Sequence, residues 1–227
     1  MSFETRYDLG QIQKFEAVLN RCDCSIRQFS SILEFGCGFG RLVRYMFKLA
    51  PNAKIHGCDV LPKAVAACRR KFPQGVFLIN HSAPPVNFAD HRFDFIYSYS
   101  VFTHLSETNH RAWLAELARL LKPGGVMLHS IKSYAFLRRA SLFSPEALPK
   151  YELRTSITEF VSQPKRFHYA VDNPPRSEYG LAIIAKDYVL ERWPAYSGLE
   201  MLEYAEGEIE AYPEGCHDLV LLRRKQE

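Results

Sequence analysis

The strongest constraint on this chain is a strand that runs directly into a glycine turn and out into a helix. Ser31-Ile32-Leu33-Glu34-Phe35 is a short apolar strand, Gly36-Cys37-Gly38-Phe39-Gly40 the turn, and Leu42, Val43, Met46 and Phe47 the apolar stripe of the helix. The alternation then continues. Lys54 to Cys58 reads as a strand ending at Asp59, Ala64, Val65 and Cys68 mark a helix, and Gly75 to Ile79 and Phe93 to Ser98 read as two more strands. A helix is expected over 108–121, with Trp113, Leu114, Leu117, Leu120 and Leu121 on one stripe and Ser106 or Thr108 as its cap. Lys122-Pro123-Gly124-Gly125 should break the chain before a fifth strand at 126–131. Parallel strands need crossover helices, so this order specifies an α/β fold. The expectation is a doubly wound, Rossmann-like, mostly parallel seven-stranded sheet with an antiparallel C-terminal edge strand, in an α/β/α sandwich.

The flanks complete that plan. Ile12, Phe15, Val18 and Leu19 have helical spacing, which places a first helix at about 8–21. Strands are expected at 199–205 and 217–222, and 133–198 reads as irregular connection plus a short helix. All 227 residues are read as a single domain: an N-terminal helical segment 1–30, a core 31–131, and a segment 132–227 that faces an acceptor and ends in strands. Hydrophobic residues at 47% and charged residues at 24% exclude a disordered or fibrous chain. A net charge of +4 is too weak to imply nucleic acid. No apolar run reaches the ~18 residues of a membrane span, and the first residues lack a signal core, so a cytoplasmic location is expected. The six cysteines include no C-x-x-C pair, and no metal set is expected.

The turn predicts a ligand. Its glycines let the backbone approach closely, and the next helix presents free amides to an anion. Asp59, nineteen residues after Gly40, is placed to accept hydrogen bonds from ribose hydroxyls, so the ligand is of adenosine type. The dinucleotide pattern G-x-G-x-x-G needs a third glycine where this chain has Arg41, which disfavours a nicotinamide-dependent oxidoreductase. Glu34 puts a carboxylate just before the first glycine. It would repel a pyrophosphate but suits the amino group of S-adenosylmethionine.

Four motifs in order, Ile32 to Arg41, His56 to Val60, Phe93 to Ser98 and Leu120 to Gly125, make the chain resemble the class I S-adenosylmethionine-dependent methyltransferases. Ser98 to Leu105 resembles the fourth-strand turn of small-molecule members. The resemblance implies that Gly36, Cys37, Gly38 and Gly40 face the methionyl moiety and that Glu34 holds its amino end. Asp59 would hold the ribose, Val60 and Leu61 would cover the adenine, Asn80 or His81 would meet its edge, and Ser98 would lie near the sulfonium. Where the family often has an acid, this chain has Asn80. Arg41 would reach the ligand carboxylate or a neighbouring acid, and the sequence leaves both open.

His104 is the candidate catalytic residue, since a neutral imidazole can take a proton from a hydroxyl or amine. Tyr134, Arg176 and Tyr179 are candidate substrate contacts in the aromatic-rich tail. Asp172-Asn173-Pro174-Pro175-Arg176 imitates a box of nitrogen methyltransferases but stands far from the fourth strand, so it reads as a stiffened loop. Trp113 reads as core. The implied activity is methyl transfer to an oxygen or nitrogen of a small-molecule or glycan-type acceptor. A cofactor-binding scaffold without turnover is the alternative.

Overall fold

The computed structural model describes residues 3–133, 136, 166–171, 180–207 and 217–226. Its main sheet has seven strands in the order β3-β2-β1-β4-β5-β9-β8. These are β1 (Ser31–Phe35), β2 (Lys54–Asp59), β3 (Val76–Ile79), β4 (Phe93–Ser98), β5 (Leu121–Ile131), β8 (Glu200–Ala205) and β9 (Asp218–Arg223). Strands β1 to β5 pair in parallel. The C-terminal strand β9 runs antiparallel, inserted between β5 and β8. The helices are α1 (Phe3–Arg21), α2 (Val43–Leu49), α3 (Pro62–Lys71), α4 (Glu107–Leu120) and α5 (Lys186–Ser197). No helix among the described residues is long and apolar enough to cross a membrane.

The central strands are apolar along their length because both faces are covered. Alternate side chains enter different cores. Ile32, Phe95, Tyr97, Val126, Leu128, Leu219 and Leu221 pack with α1 and α2. Leu33, Ile96, Met127, Val220 and Leu222 pack with α4 and α5. A period of two on every strand thus builds a three-layer sandwich.

Three expectations change. Helix α1 starts at Phe3 rather than near residue 8. Lys122 to Gly125 lie inside β5. Phe93 pairs with Leu121 and Phe95 with Val126, so the extra residues form a bulge. Gly124 takes φ +76 there. The Gly124 amide donates to Arg224 O at 3.0 Å and the Arg224 amide to Gly125 O at 2.9 Å, which closes the bulge onto the chain after β9. The connection after β5 also carries more than a helix. Strands β6 (Phe167–Val171) and β7 (Gly180–Ile184) form a separate antiparallel pair. Ser106 caps α4, as expected, by accepting from the Asn109 amide.

Strand β1 is flanked by β2 on one side and β4 on the other. The chain winds away in opposite directions from this point, which leaves a crevice above the strand ends where ligands bind in such sheets.

Candidate functional site

Two adjoining cavities open at the carboxyl ends of β1 to β4. The larger, about 640 Å³, is walled by Phe35, Val101, Leu105 and Trp113, with Asp59, Asn80, Tyr99 and His104 among its polar residues. The smaller, about 250 Å³, includes Glu34, the turn residues Gly36 to Phe39, and Arg41. Gly36 and Tyr99 border both.

The turn is shaped by conformations that only glycine adopts easily. Gly36 has φ +76, and a Cβ there would lie 2.2 Å from Val101 Cγ2. Gly40 has φ +82, and its Cβ would lie 2.5 Å from the Phe72 ring. Gly36 and Cys37 amides both donate to Cys58 O, at 2.8 and 3.0 Å, which ties the turn to the end of β2. Cys37 is buried, and burial together with contact to the Cys68 thiol holds its own thiol protonated.

Asp59 sits where β2 stops. One carboxylate oxygen accepts from the Gly38 amide at 2.7 Å, the other from the Leu61 amide at 2.9 Å. Each oxygen keeps a further lone pair for a ligand. Glu34 is 3% exposed and accepts from the Tyr97 hydroxyl at 3.0 Å. Burial raises its pKa well above the carboxylate range, and the Tyr97 bond and the Arg41 charge oppose that only in part.

At the end of β3, Asn80 is buried and donates to His81 O at 2.8 Å. Its Oδ1 has no hydrogen-bond partner among the described residues. Arg41 pairs with Asp8 of α1 at 2.8 Å.

His104 ends a 3-10 turn, Phe102–His104, and lines the larger cavity. Its Nδ1 lies 2.8 Å from the Gly180 carbonyl of β7. A carbonyl accepts only, so the neutral ring carries its proton on Nδ1 and Nε2 is the basic nitrogen. Strand β7, absent from the sequence reading, therefore decides the tautomer.

Two placements are corrected. Ser98 is fully buried, 2.8 Å from His129 Nδ1, and lines neither cavity. It is a register partner of His129 within the sheet, and the chain turns only after it. Ser100, with φ 58 and its amide on Ser130 Oγ at 2.8 Å, swings Tyr99 to Val101 to the cavities instead. Leu61 is 49% exposed, because α3 begins at Pro62 and turns the side chain outward, while Val60 lines the cavity. Trp113 is core and wall at once: it is 1% exposed, borders the larger cavity, and donates to Ser82 O at 2.9 Å. Tyr134, Arg176 and Tyr179, with the Asn173-Pro174-Pro175 stretch, lie outside the described residues. Among those described, no cluster of three metal-binding side chains occurs.

Residues 32–125 match a family model described as a methyltransferase domain. A ubiquinone biosynthesis O-methyltransferase of Cereibacter sphaeroides (strain ATCC 17029 / ATH 2.4.9) is 31% identical over 102 residues, 44% of this chain and 40% of that protein. A fatty-acid O-methyltransferase of Mycolicibacterium smegmatis is 30% identical over 100 residues, 44% of this chain and 36% of that protein. The chain thus spans less than half the length of these curated relatives. A solved S-adenosylmethionine-dependent methyltransferase of Methanosarcina mazei has the same fold, with a TM-score of 0.64 and 15% identity, over 88% of this chain and 94% of that one. The 1,6-didemethyltoxoflavin-N1-methyltransferase of Burkholderia thailandensis, solved with S-adenosylhomocysteine, superposes with a TM-score of 0.62 at 14% identity, over 95% of this chain and 78% of that one.

Proposed function

We propose that the chain is a class I S-adenosylmethionine-dependent methyltransferase that moves the methyl group to an oxygen or nitrogen of a small-molecule or glycan-type acceptor. The observation that carries this reading is the pair of acids at adjacent strand ends, Glu34 after β1 and Asp59 after β2, on either side of the glycine turn. The cavities fit the cofactor. Asp59 has lone pairs for two ribose hydroxyls, and the unpartnered Asn80 Oδ1 suits the amino group of adenine. Val60, Leu105 and Trp113 give apolar walls for the base, and the two-part cavity has room for adenosine plus an acceptor. Glu34 would meet the ammonium of the methionyl group.

When bound, S-adenosylmethionine supplies an electrophilic methyl on a good leaving group. The chain's own contribution is largely positioning and exclusion of water by the aromatic walls. His104, with its proton kept on Nδ1 by Gly180, would take the acceptor proton at Nε2. A hydroxyl acceptor fits best, since the curated relatives named above are O-methyltransferases.

Titration calorimetry with S-adenosylhomocysteine tests the reading. Binding should weaken by about 1–3 kcal/mol in Asp59→Ala, the worth of charged hydrogen bonds to the ribose. No binding at millimolar ligand would sink it. Turnover of labelled cofactor in a cell extract, with the product identified by mass, separates an enzyme from a silent scaffold.

A further inference from the structure

We propose that the N-terminal helix α1 completes the cofactor site: Asp8 is a positioning residue that aims Arg41 at the carboxylate of the cofactor's amino-acid end. The inference rests on the cofactor reading above and extends it beyond residues 32–125, the span of the family match.

An α-amino acid presents an ammonium and a carboxylate on one carbon. The smaller cavity presents the complement, the Glu34 carboxyl and the Arg41 guanidinium, across the glycine turn. Arg41 is held in place from outside the turn. Asp8, 1% exposed, binds Arg41 Nη1 through Oδ1 at 2.8 Å and Arg44 Nη2 through Oδ2 at 2.7 Å. The guanidinium also lies over the rings of Tyr7 and Tyr99, at 5.2 and 5.9 Å from their centroids, and the two tyrosine hydroxyls are hydrogen-bonded to each other. A planar group clamped this way loses little further freedom when it binds.

Among the described residues, the Asp8 carboxylate faces two guanidiniums, those of Arg41 and Arg44. A guanidinium has five donors, and the Asp8 bond uses a single Nη of Arg41, so others serve an incoming carboxylate. Asp8 also falls on the stripe of Ile12, Phe15 and Leu19, where a helix meeting an ordinary core would carry another apolar residue.

The test compares S-adenosylhomocysteine with S-adenosyl-3-thiopropylamine, the same molecule without its carboxylate, by calorimetry on the full chain. The wild type should prefer S-adenosylhomocysteine by about tenfold or more, as a charge-assisted bond implies. Asp8→Asn and Arg41→Gln should each remove most of that preference while binding of the decarboxylated ligand stays within about twofold. The unchanged decarboxylated ligand reports an intact fold. A wild type without preference, an Asp8→Asn variant that keeps it, or one that loses both ligands in parallel overturns the proposal. A wild type that binds neither ligand overturns the cofactor reading itself.

Discussion

The two cavities share Gly36 and Tyr99 but are made of opposite materials. The smaller has a carboxyl and a guanidinium within one turn of chain. The larger has aromatic and aliphatic walls with a few polar groups at its rim. The buried groups beneath them differ too. Under the smaller cavity lies Glu34, its pKa raised by burial. Behind the larger lie His110 and His129, both fully buried, with pKa values lowered by burial to about 3. Burial penalises the charged form in each case, so the acid's pKa moves up and the histidines' pKa values move down. The lesson is functional. One side offers a carboxyl and a guanidinium, while the other offers an apolar chamber with His104 facing it.

The contrast can be broken at several points. The largest effect should come from His104→Gln. Turnover should fall about 10²–10⁴-fold with S-adenosylhomocysteine affinity unchanged, as loss of a general base implies. Labelled turnover beside calorimetry would read it, and unaltered turnover would remove His104 from the chemistry.

Next is the pH dependence of stability. His110 and His129 have folded-state values below the ordinary 6.5. The stability they contribute is present above that value and lost as pH falls toward 3, at up to about 1.4 kcal/mol per pH unit for each. Glu34 acts in the reverse sense. Its contribution is present below the ordinary carboxylate pKa and lost as pH rises through its raised value. Urea unfolding between pH 5 and 8 should therefore show a loss on the acid side that His110→Phe and His129→Phe flatten. An unchanged slope in both variants would refute the buried-histidine account.

A smaller effect is expected for Glu34→Gln. It should weaken S-adenosylhomocysteine about tenfold, the worth of one charge-assisted hydrogen bond, and should cancel the alkaline loss of stability. Affinity unchanged in this variant would detach Glu34 from the amino end. Smallest is Trp113→Phe, which removes the hydrogen bond to Ser82 O. Stability should fall by about 1 kcal/mol, and a thermal melt unaltered within error would show that the bond contributes nothing.

Much of the cofactor side was legible because it is local. Strand, turn and helix are contiguous from Ser31 to Leu49, and Asp59 follows at the next strand end. Glycines at positive φ leave a direct mark in the sequence, since other residues avoid that region. Ser100 leaves no such mark. Its positive φ, which brings Tyr99 to Val101 to the cavities and leaves Ser98 behind in the sheet, depends on the Ser130 hydroxyl thirty residues on. Leu61 failed for a similar reason: the start of α3 set its direction. Asp8 did carry a signal, as a carboxylate on an otherwise apolar helical stripe, but its partners Arg41 and Arg44 are more than thirty residues away.

By itself, then, the sequence determined the parallel sheet, the positions of its first five strands along the chain, the glycine turn, and the two acids beside it. Hydrophobic period and backbone restriction act within a few residues, and a sequence displays them directly. Only the tertiary structure decided that Gly180 of β7 sets the tautomer of His104, that α1 reaches Arg41, and that β9 enters between β5 and β8. Those contacts join segments many residues apart. They exist because burying both faces of one sheet brings distant polar groups together, where each must find a partner.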